Sequence, residues 1–209
     1  MINTIILDIG NVLASFDVDC YLKEKGYSDD FISRLCKSTV ENELWREIDR
    51  SDSDTIDESL IAEFIALDPE IAADIRTFFM NSYEIVEEYD YASDFIRSLK
   101  KAGYKVYLLS NYGKANFKYA LDNFGFFKYV DGGVISYETG YVKPEVGIFK
   151  AFVSKYKINP REAVFLDDMK ANIEGALAFG FHTIHFNNLN QAIEELKLLG
   201  VSVSINYQI

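Results

Sequence analysis

Apolar and polar positions divide the chain into two kinds of region. Thr4-Ile5-Ile6-Leu7 is a short apolar run that stops at Asp8-Ile9-Gly10-Asn11, the pattern of a buried strand ending in a turn. From about Asp17 to Glu88 helical patterns follow one another, and no convincing strand lies among them. Ser53-Asp54 is placed to cap a helix carrying Ile56, Leu60, Ile61, Phe64 and Ile65. Asp68-Pro69 is a second start signal, an acceptor followed by proline at the first helical position, ahead of Ile71, Ile75 and Phe78-Phe79.

Beyond that stretch, helix and strand patterns alternate. A helix over Ala92–Ala102 closes on Gly103, and Lys105–Leu109 reads as a buried strand. Gly113–Asn123 is helical, Val130–Ser136 is a strand region, Pro144–Tyr156 is helical, and Asn159-Pro160 is a turn. Ala163–Leu166 is a strand, Lys170–Phe179 a helix stopped by Gly180, His182–Phe186 a strand, and Asn188–Leu199 a helix. Strands alternating with helices of this length imply βαβ units and a parallel sheet covered on both faces. The expected fold is therefore α/β: a Rossmann-like, doubly wound parallel sheet with an inserted all-helical segment. The core would span 1–16 and 90–209, and the insertion 17–89.

Composition supports a packed interior. Of 209 residues, 49% are hydrophobic, 26% charged and 15% aromatic, with 16 Phe and 14 Tyr. A chain of this size buries a sizeable core without staples. The net charge of −12 disfavours nucleic acid and anionic membranes, and no dense Lys/Arg run offsets it. An anionic substrate would need positive charge supplied within the site. Cys20 and Cys36 form no CxxC pair and read as buried or half-buried free thiols. The N-terminus has no basic n-region, and no apolar run approaches the ~18 residues that span a bilayer, so a cytoplasmic location is expected. The oligomeric state has no signature in the pattern.

Ligands of open parallel sheets bind beyond the carboxyl ends of the strands. Four polar clusters fall at such ends: Asp8-Ile9-Gly10-Asn11, Ser110-Asn111, Gly140-Tyr141-Val142-Lys143-Pro144 and Asp167-Asp168. The fold would bring an acid, a hydroxyl, an ammonium and an acid pair to one edge, a combination suited to phosphoryl transfer. A carboxylate can attack phosphorus, while a lysine and a metal ion neutralise the phosphoryl oxygens.

In this order the four clusters resemble the four motifs of the haloacid dehalogenase-like hydrolases, over residues 1–16 and about 90–200. The insertion resembles that superfamily's helical cap in position and content. Leu7–Val12, Gly140–Glu145 and Phe165–Ala176 look in particular like the bacterial branch acting on α-D-glucose 1-phosphate. The resemblance implies a Mg²⁺-dependent phosphatase with Asp8 as nucleophile and metal ligand. The Gly10 carbonyl and Asp168 would complete the protein's share of the metal shell. It also implies that Ser110 and the Asn111 backbone N–H hold phosphoryl oxygens and that Lys143 neutralises both Asp8 and the phosphate. Asp167 would support the metal or pair with Lys143, and Asn172 would orient the loop. The implied partner is a small phosphorylated metabolite, probed by the insertion.

One position departs from the superfamily. Most of its phosphatases carry a second Asp two residues after the nucleophile, as general acid for the leaving group, and here that position is Gly10. The glucose 1-phosphate branch shares the glycine. Without that acid, a steep dependence on leaving-group basicity and a preference for sugar 1-phosphates over 6-phosphates are expected, unless Asp17, Asp19 or a water substitutes. Two other readings remain open: a dehalogenase in which Asp8 attacks carbon, and a phosphate-binding regulatory protein with little turnover. His182 and His185, three apart on a strand, point to opposite faces and are not read as ligands. Trp45 and Arg46 read as cap core and surface, Tyr112 as undecided, and the acidic stretch Asp49–Glu58 as a solvated face.

Overall fold

The computed structural model describes residues 1–204, so the last five residues of the expected 90–209 segment lie outside the described residues. The chain opens with β1 (Thr4–Leu7) and β2 (Ala14–Phe16), then α1 (Val18–Glu24), α2 (Asp29–Lys37), α3 (Trp45–Arg50), α4 (Glu58–Leu67) and α5 (Ala72–Asn81). It continues through β3 (Val86–Glu88), α6 (Ala92–Lys101), β4 (Lys105–Ser110), α7 (Lys114–Asn123), β5 (Gly132–Ile135), α8 (Ser136–Thr139) and α9 (Val146–Tyr156). The last elements are β6 (Ala163–Asp167), α10 (Lys170–Phe179), β7 (His182–His185) and α11 (Leu189–Leu198).

Five strands form one parallel sheet in the order β5-β4-β1-β6-β7, with β1 at its centre. All four β1 residues are buried, as a strand covered on both faces requires. Strand alternation sends successive side chains to opposite sides. Ile5 and Leu7 belong to one apolar cluster with Phe95, Ile96 and Leu99 of α6 and Leu196 of α11, whereas Ile6 belongs to another with Ile148, Phe149 and Phe152 of α9. The strand order reverses at β1. Asp8, Ser110 and Asp167 stand at the carboxyl ends of the three central strands, so the expected doubly wound α/β architecture is present.

The inserted helices gather a separate apolar cluster, which includes Leu22, Leu35, Phe64, Ile75, Phe78 and Phe79. Four sequence expectations need correction here. A strand does occur before Tyr89: β3 pairs antiparallel with β2 and closes the base of the insertion, a three-residue ladder too short to leave an alternating pattern. Asp57, not Ser53-Asp54, caps α4, its Oδ1 accepting from the Ser59 N–H at 2.7 Å, which leaves Ile56 outside the helix. Pro69 starts a single 3₁₀ turn before α5. The Asp68 carboxylate is held chiefly by Arg34, accepting from its Nε and Nη2 at 2.6 and 2.7 Å. Cys20 is exposed, Cys36 is buried, and both are free. Among the described residues no helix is long and apolar enough to cross a membrane.

Candidate active site

Asp8 follows β1 directly, and the Asp8 N–H extends the ladder by donating to the Leu166 carbonyl at 3.0 Å. The carboxylate is thereby fixed at the sheet edge, where its Oδ1 accepts from the Ile9 N–H at 2.8 Å. Gly140, with φ near 70°, ends α8 in the left-handed region that glycine tolerates, and the chain then turns inward to Lys143. Lys143 Nζ lies 2.8 Å from Asp8 Oδ1 and 2.7 Å from Asp167 Oδ2, and the lysine is 3% exposed.

An ammonium buried this deeply is tolerable because it is paired twice. Burial alone would lower the Lys143 ammonium, but the charges of Asp167 and Asp8 outweigh it and hold it above its usual value. Burial pushes the Asp8 carboxyl the other way, upward, with Lys143 opposing and Asp167 adding to the rise.

Both Asp167 oxygens are engaged by the protein's own donors. Its Oδ1 accepts from the Met169 N–H at 2.8 Å and from Asn172 Nδ2 at 3.0 Å, and its Oδ2 holds Lys143. Of the two roles open to it, the geometry supports the partner of Lys143. Asn172 orients the turn through both Asp167 oxygens. Asp168 instead faces the cavity and accepts from Asn11 Nδ2 at 2.9 Å, and burial raises its carboxyl against that bond. The Asn111 side chain exchanges two hydrogen bonds with the Lys143 backbone, at 2.7 and 3.1 Å, which ties the second cluster to the third.

Asp8, Gly10, Ser110, Asn111, Lys143, Asp168 and Asn172 line one cavity of about 280 Å³, with Asp167 beneath it. Ligand oxygens of Asp8, Asp167 and Asp168 approach within 4.8 Å of one another. With Asp167 committed to Lys143, two hard carboxylate donors remain beside Gly10. That donor set suits a small divalent cation such as Mg²⁺, and one ammonium leaves the cluster net negative without it.

The roof comes from α3, and it holds residues that the sequence pattern does not single out. Asp49 is not a solvated acid: it lines the cavity with Trp45, one helical turn before it, and with Phe16 and Val40. Trp45 both packs, stacked on Phe79 at 6.0 Å, and faces the cavity, so core and lining are one role. Tyr112 also faces in. The signal available in the sequence is spacing, since Trp45, Ile48 and Asp49 fall on one helix face. Arg46 is exposed, as expected. Asp17 caps α1 by accepting from the Cys20 N–H, and Asp19 pairs with Lys23, so neither of these acids lines the cavity. His182 and His185 bond separate carbonyls, those of Arg161 and Asp168.

Polar contacts dock α3 onto the core. Arg50 bonds both Glu145 oxygens at 2.6 and 3.1 Å and the Gly140 carbonyl at 3.0 Å. The Ser136 hydroxyl accepts from the Tyr112 N–H at 2.8 Å and donates to the Asp49 carbonyl at 2.6 Å. The Lys114 N–H donates to the Ser51 carbonyl at 3.0 Å. A Cβ on Gly113 would stand 2.2 Å from the Ile48 carbonyl oxygen, so the close approach of α3 requires glycine there.

The family pattern described as haloacid dehalogenase-like hydrolase matches residues 2–180. D-ribitol-5-phosphate phosphatase of Bacteroides thetaiotaomicron is 30% identical over 112 residues, 51% of this chain and 54% of that protein. (S)-2-haloacid dehalogenase 4A of Burkholderia cepacia is 28% identical over 108 residues, 52% of this chain and 47% of that one. The chain thus spans about half the length of these curated relatives. A HAD family enzyme from Bacteroides thetaiotaomicron, solved with magnesium and inorganic phosphate, superposes with a TM-score of 0.64 over 88% of this chain and 93% of that one. At 24% identity that likeness is one of fold.

Proposed function

The chain belongs to the haloacid dehalogenase-like hydrolases, and from that premise we propose that it is a Mg²⁺-dependent phosphatase of small phosphate monoesters, of the sugar-phosphate class. The observation that carries the reading is the clustering of Asp8, Asp167 and Asp168 oxygens within 4.8 Å of one another, with one buried lysine paired to the first two. A dehalogenase that attacks carbon needs no cation there and would leave Asp168 repelling the nucleophile.

Asp8 attacks phosphorus and becomes an aspartyl-phosphate, while Lys143 holds its carboxylate in line and shields the phosphoryl charge. Ser110 and the Asn111 N–H, just ahead of α7, take phosphoryl oxygens. Asp8, the Gly10 carbonyl and Asp168 would hold Mg²⁺, which supplies electrostatic stabilisation of the transferring group. Asp167 and Asn172 keep Lys143 and the Asp168 turn in register. The cavity, just below the roughly 300–1,000 Å³ range of ligand pockets, and the docked α3 roof favour a small metabolite over a protein or nucleic acid. We take 17–89 as the cap, on the strength of its own apolar cluster.

The test is turnover of p-nitrophenyl phosphate with Mg²⁺ and with EDTA, beside halide release from 2-chloropropionate. Mg²⁺-dependent phosphate release is expected. Halide release, or full phosphatase activity after exhaustive chelation, refutes the assignment.

A further inference from the structure

Gly10 leaves the reaction without the acid that would protonate a departing alkoxide, and nothing has grown into that space: a Cβ there would meet no atom within 4 Å. A carboxylate does reach the cavity from the opposite side. Asp49 is the lining carboxylate that stands apart from the Asp8–Asp167–Asp168 cluster among the described residues, and α3 presents it from the roof. Its backbone is pinned by Ser136 and by the Arg50–Glu145 pair beside it. Its carboxylate has no hydrogen-bond or ion-pair partner among the described residues, although it lines the cavity. The Tyr112 hydroxyl nearby is shut off from solvent and likewise meets no partner. An unpartnered carboxylate held facing a cavity is arranged for a ligand, and the Tyr112 ring lines the same cavity.

Building on the phosphatase reading, we propose that Asp49 is the general acid–base of the reaction, delivered by the cap in place of the residue missing at Gly10. As Asp8 Oδ bonds to phosphorus and the phosphorus–oxygen ester bond breaks, the electron pair goes to the leaving oxygen and the Asp49 proton joins it, releasing the alcohol. The Asp49 carboxylate then takes a proton from the water that attacks the aspartyl-phosphate. Phosphate leaves, the Asp8 carboxylate is restored, and Asp49 is protonated again. Burial pushes the Asp49 carboxyl up to about 7, with Lys143 and Arg50 opposing and Asp8 adding to the rise. The charged and titratable groups facing it are Asp8 and Lys143 from the core, Tyr112 from the start of the α7 loop, and Arg50 on its own helix. A carboxyl held protonated near neutral pH can donate, which Asp17 and Asp19, outside the cavity, cannot do here.

The experiment measures kcat/KM with saturating Mg²⁺ for wild type and Asp49→Asn across aryl phosphates of decreasing leaving-group acidity, ending with an alkyl phosphate. Wild type should show a shallow dependence. In Asp49→Asn the alkyl phosphate should lose about 10²–10⁴-fold, while 2,4-dinitrophenyl phosphate loses no more than about 3-fold and shows a burst of phenol. The alkaline limb of the wild-type pH profile should also disappear. A loss equal across the series, or a rise in KM with kcat unchanged, would make Asp49 a substrate-binding group and overturn the proposal. Absence of Mg²⁺-dependent turnover by wild type, even of the dinitrophenyl ester, would instead bring down the phosphatase reading on which it stands.

Discussion

Lys143 and Arg50 both join separate elements of the chain by ion pairs, but they do so under opposite conditions. The Lys143 side chain is 1% exposed and lies between carboxylates that end two neighbouring strands. The Arg50 side chain is 25% exposed and reaches Glu145, itself 39% exposed, from a helix of the insertion. A buried charge must keep its partners, because removing one strands the other in low dielectric. A half-exposed pair can exchange its partner for water at little cost. The floor of the site is therefore a fixed charge network, whereas the roof is docked by contacts that can be made and broken. That division suits an enzyme whose reaction must be closed off from water and then opened to release product.

The sharpest break falls on the floor. Asp8→Asn should fold normally and lose turnover by at least about 10⁴-fold, since an amide is a poor nucleophile; single-turnover assays and circular dichroism check the two halves of that statement. Lys143→Met removes the ammonium that pairs two buried carboxylates. It should cost about 3–5 kcal/mol in urea denaturation as well as abolishing activity. Mg²⁺ at 100-fold over its Kd should stabilise the protein by about 2.7 kcal/mol and raise Tm by about 5–10 °C. Asp168→Ala should lose most of that rise, whereas Arg50→Ala should keep all of it. The smallest effect belongs to the roof: Arg50→Ala should change stability by no more than about 1 kcal/mol and show itself chiefly in KM for small phosphates. A roof variant as destabilised as Lys143→Met would erase the distinction between the two regions.

Much of the floor is legible in the pattern of residues. β1, β4 and β6 are buried strands, and a buried strand must end at the sheet edge, so a polar residue directly after an apolar run is placed by local pattern alone. Asp8, Ser110 and Asp167-Asp168 stand out for that reason, and the helix stop at Gly180 has its cause in a left-handed φ of 108°. What local pattern does not fix is which Asp167 oxygen goes to which donor. That depends on Lys143, 24 residues away, and Asn172, five residues on, meeting in three dimensions.

The roof is nearly silent. Asp49 sits among Glu47, Arg50, Asp52 and Asp54, where composition points to a solvated helix, and only the docking of α3 onto Ser136, Glu145 and Gly113 turns it inward. The alternating α/β core and the carboxylates at its strand ends follow from the order of residues alone, because strand burial and turn chemistry act over a few positions. Which acid of the insertion reaches the cavity does not, because that depends on how a six-residue helix docks against loops more than 60 residues further along the chain.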